Sequence, residues 1–406
     1  MQGLLYFAGG AKEVGRNAVI YKNGISIVID YGLKLFSEVQ YPLRPEQADL
    51  VVISHAHLDH SGHVPFLYEE ENPLALSTFQ TKCIAEILWE DNAKIMGESL
   101  IYSRRNLKKA LSSVIELEYS NVFDFHGKQI EFYDAGHILG SSLVMVRDSD
   151  QSILYTCDMN SSDTRLHKGC RPLKTDVLIL ESTYSDRDHG DRKEKEKILK
   201  DKIRDIMKRG GTAILPAFAV GRTQELIAIL SDLGCTLYID GMGNKINEIY
   251  LKNRHLISDF SAFRSGMRNV EIVKKPQDRR KAMRGQVVIA TAGMLEGGPA
   301  LNYIMNSQKN SEVIFTGYCV PGTNGWKLQH GGYVEINGAQ VNVDIPVSYL
   351  DFSAHSGRTE LFSFAEKCNP SKIFCIHGDN CEKFAQELRE LGFDAVAPEN
   401  GKEYSL

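Results

Sequence analysis

Four side chains that can bind a metal ion lie within six residues of one another: His55, His57, Asp59 and His60. They follow the apolar run 48–53, which is typical of a buried strand. His55 and His57 alternate, so an extended backbone directs both to the same side, whereas Asp59 and His60 fall in a turn or first helical turn. Imidazole combined with carboxylate favours cations such as zinc. The stretch therefore predicts a metal site in which one peptide serves two cations.

Three further candidate ligands each come directly after an apolar, strand-like run: His137, Asp158 and His377. Taken singly, each can equally be a hydrogen-bonded polar residue at a strand end. Together with the first motif they are better explained as metal ligands, and the carboxylate of Asp158 can bridge two cations. Asp30 also ends a strand-like run, where it can orient a loop or bind a metal.

A second kind of chemistry is indicated by Glu181, at a predicted strand end, and His355, which lies in a polar stretch before a predicted helix. A carboxylate near an imidazole keeps the ring protonated, which suits a general acid for an alkoxide leaving group. The alternative is that Glu181 caps the strand end and His355 only begins a helix.

The elements that must position these residues change in character along the chain. Strand patterns dominate the N-terminal part, with helical spacing over 81–97 and 105–117. After a polar connector at 185–192, strand and helix patterns alternate, which predicts a parallel, three-layer α/β unit. From about Val347 the pattern returns to that of the first part.

Composition places the 406 residues among globular proteins large enough for two or three domains. The eight cysteines include no Cys-x-x-Cys pair, which argues against a zinc ribbon or a disulfide scaffold. The formal net charge of −5 neither supports nor excludes a polyanionic substrate, because bound cations would add positive charge. No apolar run is long enough for a membrane span, and the N-terminus lacks a signal-peptide pattern, so we expect a cytoplasmic protein without membrane contact.

The motif at 55–60, with His137 and Asp158, resembles the metallo-β-lactamase fold. Glu181, His355 and His377 resemble the three additional motifs of its RNA-processing branch, the β-CASP ribonucleases. Similar stretches recur along the chain, from Leu4 to about Asn400, at 9–17, 216–226, 293–300 and 317–323. The resemblance points to the endonuclease subunit of the cleavage and polyadenylation specificity factor and to its prokaryotic and archaeal relatives without KH domains.

This resemblance implies an α/β fold: a metallo-β-lactamase αββα sandwich with an inserted parallel α/β domain, the β-CASP domain. The first part of the lactamase domain is expected at 1–187, the β-CASP domain at 188–348 and the C-terminal part of the lactamase domain at 349–406. No KH domain is expected before the strand that starts at Leu4, so RNA selection by an attached module is not expected.

The resemblance also implies two zinc ions, with manganese as an alternative, and a role for each candidate residue. One cation takes three imidazoles: His55, His57 and His137. The other takes a carboxylate and two imidazoles: Asp59, His60 and His377. Asp158 bridges the two cations, and Asp30 supports the ligand loop. Glu181 and His355 are expected on the leaving-group side.

The implied activity is that of a ribonuclease. Two divalent ions roughly 3.5–4 Å apart lower the pKa of a bridging water and hold the resulting hydroxide against the scissile phosphorus. Asp59 would orient that hydroxide and His355 would protonate the leaving 3′ oxygen, which leaves 5′-phosphate and 3′-hydroxyl ends. The expected role is endonucleolytic RNA processing or 3′-end maturation, with 5′→3′ exonuclease activity left open.

Two other functions stay open. A thioesterase or lactonase on the same fold would explain residues 55–158 but would leave the insertion and His355 without a purpose. A non-catalytic RNA-processing scaffold is expected to have lost ligands, whereas here every ligand position is filled.

Substrate contacts are expected in the glycine-rich loops of the insertion, where backbone amides can cradle phosphates. The candidates are Arg222, Gly293, Gly317 and Thr323. Plain turns and a surface ion pair explain these residues equally well. The basic segment 274–284 can track an RNA backbone or form a solvated helix face. Single-stranded RNA is the expected substrate, and the family is compatible with a homodimer and with RNA-processing partner proteins.

Overall fold

A computed structural model describes residues 3–35, 38–284 and 286–406. These residues form two compact units. The first unit comprises Met1–Asp163, Lys168–Asp188 and Ala354–Leu406, and the inserted unit comprises Thr164–His167 and His189–Ser353. The domain boundaries at 187/188 and 348/349 stay predictions.

The first unit contains two seven-stranded sheets. In spatial order, the strands of one sheet are β22 (Glu403–Ser405), β1 (Leu4–Gly9), β2 (Ala18–Lys22), β3 (Ser26–Ile29), β4 (Leu50–Val52), β5 (Leu74–Ser77) and β6 (Val114–Glu116). Those of the other are β21 (Ala395–Val396), β20 (Lys372–Ile376), β11 (Val177–Glu181), β10 (Ser152–Tyr155), β9 (Ser142–Arg147), β8 (Lys128–Asp134) and β7 (Val122–Phe125).

The helices of the first unit are α1 (Leu58–Ser61), α2 (Phe79–Met96), α3 (Arg104–Ser113), α11 (Arg358–Cys368) and α12 (Cys381–Glu390), with short 3₁₀ turns at Val64–Tyr68 and Gly97–Ser99. Side chains two residues apart on a strand point to the same face of its sheet. Each sheet therefore directs alternate residues toward the other, and the two sets form one core. Leu5 and Phe7 of β1 thus join the same buried cluster as Leu178 and Leu180 of β11. Helices α2 and α3 pack against the first sheet, and α11 and α12 against the second. The predicted αββα sandwich is confirmed.

The inserted unit has a six-stranded sheet in which every pair is parallel. Its strands, in spatial order, are β14 (Val270–Ile272), β13 (Leu237–Asp240), β15 (Val287–Ala290), β12 (Ala213–Pro216), β16 (Glu312–Phe315) and β19 (Val347–Tyr349), and a separate hairpin is formed by β17 (Tyr333–Ile336) and β18 (Ala339–Asn342). The helices are α4 (Arg192–Lys208), α5 (Arg222–Ile229), α6 (Gly243–Lys252), α7 (Phe260–Met267), α8 (Pro276–Ala282), α9 (Ala300–Met305) and α10 (Asn324–Gly331), with a 3₁₀ turn at Arg254–Leu256. The predicted parallel α/β insertion is confirmed.

One predicted element ends earlier than expected. Helical spacing over 105–117 predicted a single helix, but α3 ends at Ser113 and the chain continues as strand β6. The β-branched pair Val114 and Ile115 pairs in parallel with β5, and the gain from extending the sheet outweighs the helical pattern. Among the described residues, no helix has the length and apolar character needed to cross a membrane.

Candidate metal centre

The first ligand motif begins at the carboxyl end of β4. This strand is completely buried and pairs in parallel with β3 and β5, so the sheet fixes where it ends. His55 and His57 lie in the loop that follows, and Asp59 and His60 lie in α1. The N–H groups of His60 and Ser61 donate to the carbonyl of His57, at 3.0 and 2.9 Å. Helix α1 therefore starts on a ligand residue and turns the next two ligands in a different direction.

Three imidazole nitrogens, one each from His55, His57 and His137, lie close together. Nδ1 of His57 lies 3.2 Å from Nε2 of His55 and 3.1 Å from Nε2 of His137. Oδ2 of Asp158 lies 3.6 Å from Nε2 of both His55 and His137. Ligand atoms around a tetrahedral zinc ion, with bonds of about 2.0–2.1 Å, are separated by about 3.3–3.4 Å. These four atoms therefore have the dimensions of a zinc cage. We call the three histidines the imidazole tripod.

A second group uses the other oxygen of Asp158. Oδ1 of Asp158 lies 3.1 Å from Nε2 of His60 and 3.3 Å from Nε2 of His377. Oδ2 of Asp59 is farther away, at 3.9 Å from His60 and 3.8 Å from His377. We call Asp59, His60 and His377 the Asp59 group. Since each oxygen of Asp158 faces a different set of nitrogens, this one carboxylate joins both groups.

The chemistry of these donors fits divalent cations. Burial lowers the pKa of His55, His57 and His137, so each ring is neutral and offers a lone pair. Oδ1 of Asp158 is buried and accepts no well-aligned hydrogen bond among the described residues, although Nε2 of His60 lies 3.1 Å away. A buried carboxylate oxygen without a donor is costly unless a cation lies beside it. The seven predicted ligand residues thus converge on two positions that share Asp158.

Asp30 supports the Asp59 group from outside. It lies 2.7 Å from Nδ1 of His60 through Oδ2, and it accepts hydrogen bonds from the N–H and hydroxyl of Ser54 and from the hydroxyl of Tyr155. Burial opposes protonation of His60, but the charges of Asp158 and Asp30 raise its pKa well above the ordinary value. Because Asp30 occupies Nδ1, Nε2 of His60 is directed at the cluster.

Backbone conformation and hydrogen bonds position His137 and His377, the two histidine ligands that lie far from the first motif in the sequence. Nδ1 of His137 lies 2.9 Å from the carbonyl of Ala354, which leaves Nε2 for the tripod. Gly136 has φ +71°, and a Cβ there would lie 2.4 Å from the carbonyl oxygen of Asn160, so only glycine fits before His137. The N–H of His377 donates to the carbonyl of Gly10 at 2.8 Å.

Asn17 is a polar residue to which the sequence analysis assigned no role. Its Nδ2 lies 3.0 Å from Nε2 of His60 and also contacts Nδ1 of His377. The side chain is fully buried at the start of β2. Asn17 and His377 are 360 positions apart, and no local pattern signals such a contact.

Glu181 and His355 form a pair beside the tripod. Oε1 of Glu181 lies 3.0 Å from Nδ1 of His355 and accepts the N–H of Met159 at 3.0 Å, while Oε2 accepts the N–H of Thr183. Nε2 of His355 lies 4.0 Å from Oδ2 of Asp158. Burial opposes protonation of His355, but the charges of Glu181 and Asp158 and the hydrogen bond with Glu181 raise its pKa to about 9. The ring is thus a proton donor directed at the cluster.

The polar candidates of the inserted unit are engaged in local structure. Nη1 of Arg222, at the start of α5, donates to the carbonyl of Phe352. Thr323 caps α10, since its hydroxyl accepts the N–H of Trp326 at 3.3 Å and donates to the carbonyl of Val320 at 2.7 Å. Substrate contact by Arg222 and Thr323 stays a prediction.

Aromatic side chains lie at the carboxyl edge of the inserted sheet, where the sequence analysis assigned none. Phe218 follows β12, Tyr318 follows β16 and Tyr349 ends β19, and these three strands are neighbours. The residues are 39, 40 and 43 % exposed. A Cβ at Gly293 or Gly317 would lie 3.4 or 3.7 Å from the ring of Phe218, so both glycines lie against that ring. Substrate contact by the two glycines stays a prediction.

Family models match most of the chain in separate segments. The Beta-Casp domain model matches residues 223–328, and the model of a Zn-dependent metallo-hydrolase RNA specificity domain matches residues 340–398. The model of the anti-Pycsar protein Apyc1 matches residues 7–204.

Relatives match over nearly the whole length. The chain is 36 % identical to the probable RNase MJ4 of Methanocaldococcus jannaschii, over 99 % of this chain and 100 % of that protein. It is 32 % identical to RNase aCSPSF2 of Saccharolobus solfataricus, over 100 % of this chain and 86 % of the relative. Integrator complex subunit 11 of Danio rerio is 30 % identical, over 97 % of this chain and 72 % of its own length.

A solved structure supports the fold. The crystal structure of a protein of unknown function from Enterococcus faecalis V583 superposes with a TM-score of 0.67 at 15 % identity, with full coverage of both chains. The matched β-CASP and metallo-hydrolase models, the full-length relatives and the αββα sandwich with its parallel insertion agree with one another. This chain belongs to the metallo-β-lactamase-fold β-CASP ribonuclease family.

Proposed function

We propose that this chain hydrolyses phosphodiester bonds of single-stranded RNA and leaves 5′-phosphate and 3′-hydroxyl ends. The observation that carries the proposal is the sharing of Asp158, whose two oxygens face the imidazole tripod and the Asp59 group. Such a paired site is suited to an in-line displacement at phosphorus, where both the attacking and the leaving oxygen need stabilisation. The names of two relatives, probable RNase MJ4 and RNase aCSPSF2, support an RNA substrate.

The proposed cofactors are two zinc ions, with manganese as an alternative. The imidazole tripod would hold one, the Asp59 group would hold the other, and Asp158 would contact both. When bound, the two cations supply an activated water and neutralise charge on the phosphate. Asp30 is proposed to hold the ring of His60 through Nδ1, and Asn17 that of His377 through Nδ1, where the amide oxygen has to face the ring N–H when Nε2 binds a cation; both residues act only through those ligands.

Three side chains of the first unit are proposed to transfer a proton, to support that transfer or to orient the attacking water. His355 gives the proton on Nε2 to the leaving 3′ oxygen, and Glu181 holds the ring through Nδ1 and maintains its positive charge. Asp59, which is 33 % exposed at the side chain, is proposed to accept a hydrogen bond from the attacking water. None of these roles involves the 2′-hydroxyl of RNA.

Substrate contacts of the inserted unit are proposed at the carboxyl edge of its sheet. Phe218 offers a ring face on which an unpaired base can stack, and Gly293 and Gly317 bring backbone amides next to that ring. Arg222 and Thr323 complete the proposed set by shaping the loops that carry these groups.

The proposed biological role is endonucleolytic RNA processing or 3′-end maturation in the cytoplasm, with 5′→3′ exonuclease activity as a further mode. One relative is named transcription termination factor FttA, which is consistent with action on transcripts. We further propose that residues 188–348 form the β-CASP domain, and that a homodimer and RNA-processing partner proteins are part of the working assembly.

The test uses purified protein, a 5′-labelled single-stranded RNA and added zinc or manganese, beside a His355→Ala variant. Internal fragments that disappear in the variant are expected. Release of mononucleotides only from 5′-monophosphorylated RNA would make the protein an exonuclease. Absence of cleavage with any RNA, while metal is bound, would contradict the ribonuclease proposal and favour a hydrolase of small esters.

A further inference from the structure

Helix α3 carries a group of cations on its solvent side. Arg104, Arg105, Lys108 and Lys109, together with Ser112, line a shallow, open depression on this side. We call the four cations the basic face. They form two neighbouring pairs four residues apart, which places the pairs one helical turn, or about 6 Å, from each other along the axis. The basic face therefore presents a short double row of positive charge.

No carboxylate forms an ion pair with this row within the part of the chain that the structure describes. No Asp or Glu oxygen among the described residues lies within 4 Å of a side-chain nitrogen of the basic face. Nζ of Lys109 lies 3.5 Å from the carbonyl of Tyr68, which is a neutral partner. This is unexpected in a chain whose formal net charge is −5.

The basic segment 274–284, a possible RNA contact from its sequence, differs in that some of its cations form ion pairs. Nε of Arg279 lies 2.7 Å from a carboxylate oxygen of Asp240, and Nζ of Lys281 lies 2.6 Å from Glu271. These carboxylates reduce the positive charge that the segment can offer to a ligand. Among the described residues, two of the six cations of this segment thus form ion pairs, whereas none of the four cations of the basic face does.

Helix α3 is held firmly against the segment that carries metal ligands. Its opposite side buries Leu107 and Ala110, and it packs on the 3₁₀ turn at Val64–Tyr68. Just before the helix, the hydroxyl of Tyr102 donates to the carbonyl of Gly62, the residue that ends α1, at 3.1 Å. The basic face therefore has a fixed position relative to the helix that bears Asp59 and His60.

We propose that the basic face binds the phosphate backbone of the RNA at a place separate from the metal centre. Fixed, unneutralised cations are what sequence-independent backbone binding requires, because affinity comes from the release of counter-ions from the phosphates. The depression is lined by four cationic side chains and Ser112, so its apolar surface comes from the stems of the cations and it offers no enclosed pocket for the apolar anchor of a protein partner. This inference rests on the proposed ribonuclease function and adds a second point of contact to it.

The test compares two double variants, each of which replaces one arginine and one lysine with alanine. Arg104→Ala/Lys108→Ala removes one cation from each pair of the basic face. Arg204→Ala/Lys208→Ala is the matched control, since it removes the same residue types at the same spacing from α4. In α4 these cations are already paired, Arg204 with Asp201 and Lys208 with Asp205. Alanine favours the helix at all four positions, so both variants should fold.

The measurement is the affinity of each zinc-loaded protein for a labelled single-stranded RNA of about 30 nucleotides at several potassium chloride concentrations, with His355→Ala added to prevent cleavage. Each phosphate contact contributes about 0.7 to the slope of log affinity against log salt for single strands, so loss of two contacts should make the slope shallower by about 1.4. The α4 variant should keep the slope of the parent. With His355 intact, the α3 variant should raise KM for this RNA and leave kcat and the hydrolysis of bis(p-nitrophenyl) phosphate unchanged.

Three outcomes would overturn the inference. One is an unchanged salt slope in the α3 variant while the parent protein binds and cleaves RNA. Another is an equal loss in the two double variants, which would make the effect one of net charge alone. The third is tight binding of poly-glutamate that the RNA cannot displace, which would assign the surface to an acidic protein. If the α3 variant is poorly folded, Arg105→Gln/Lys109→Gln repeats the test. Failure of the parent protein to bind or cleave any RNA would instead contradict the proposed function itself.

Discussion

The imidazole tripod and the Asp59 group share Asp158 but are built in different ways. In the tripod, Nδ1 of His57 lies 3.1–3.2 Å from the other two nitrogens, and burial keeps all three rings neutral. In the Asp59 group the distances reach 3.9 Å, the Asp59 side chain is 33 % exposed, and the pKa of His60 is raised. One position has three closely spaced neutral rings, and the other has a carboxylate of its own at longer distances; each includes one half-buried ligand, His57 in the tripod and Asp59 in the Asp59 group.

This difference suggests that the tripod mainly holds its cation and that the Asp59 group mainly takes part in catalysis. A preformed cage closes on a cation with little rearrangement, so we expect the tripod to bind its cation more tightly. The open side at Asp59 leaves room for water and for a phosphate oxygen, as a catalytic position requires. Four predictions test this comparison.

The largest effect is expected for Asp158→Asn, which removes the charge that both groups share. Bound zinc should fall from two ions per chain to one at most, because an amide oxygen replaces a carboxylate oxygen in one group and an amide nitrogen occupies the other. RNA cleavage should fall by on the order of 10³-fold or more, since metal ions supply several kcal/mol and about 1.4 kcal/mol is a factor of ten. Elemental analysis and single-turnover cleavage measure both quantities. Asp163→Asn, an exposed carboxylate paired with Lys168, is the control and should change neither.

The second prediction concerns the pH dependence of the tripod side, where His355 faces Oδ2 of Asp158. The pKa of His355 is raised to about 9, so the ring is protonated below that pH and loses its proton as the pH rises through it. Bound cations repel the imidazolium and move this loss to lower pH. The rate should therefore decline on the alkaline side, and His355→Asn should abolish the decline while lowering kcat by about 10²–10⁴-fold. An alkaline decline that persists in His355→Asn would assign the proton to another group.

The third prediction separates the two positions by their affinity for zinc. His377→Ala damages only the Asp59 group, so the variant should retain one zinc that resists a chelator. His137→Ala opens the tripod, so the remaining zinc should be removed at a lower chelator concentration. Competition with a chromogenic chelator measures both variants on one scale. Equal resistance in the two variants would show that the tripod is not the tighter position.

The smallest effect is expected for Asp30→Asn, which weakens support for His60 without removing a ligand. Loss of a carboxylate behind a metal-bound histidine lowers metal affinity by about 10–100-fold. The loss should be larger at the Asp59 group, because Asp30 bonds directly to His60 and reaches His55 of the tripod only through the hydroxyl of Ser54. Tyr155→Phe removes a different hydrogen bond to the same carboxylate and should have a smaller effect. An equal loss at both positions would contradict separate support.

Much of the candidate site could be predicted because its signals are local. His55, His57, Asp59 and His60 follow one buried strand, and strand ends also carry Asp158 and His377. Hydrophobic patterns predicted most strands and the parallel insertion, whereas the sandwich was implied by the resemblance to the family. Where packing competed with a local pattern, prediction failed, as at the end of α3. The hairpin of β17 and β18 was not predicted either, although Asn337 and Gly338 both adopt the positive φ of a tight turn.

The amino-acid sequence alone was enough to identify the family, the ligand types and the order of the elements, because each depends on residues close together in the chain. Only the tertiary structure decided which oxygen of Asp158 faces which nitrogens and which polar groups, such as Asn17, support the ligands. It also decided which cations are neutralised: Arg279 meets Asp240 across 39 positions, whereas the basic face of α3 meets no carboxylate of a described residue. Charge is a property of single residues, but ion pairing depends on distances in space, and folding sets those distances.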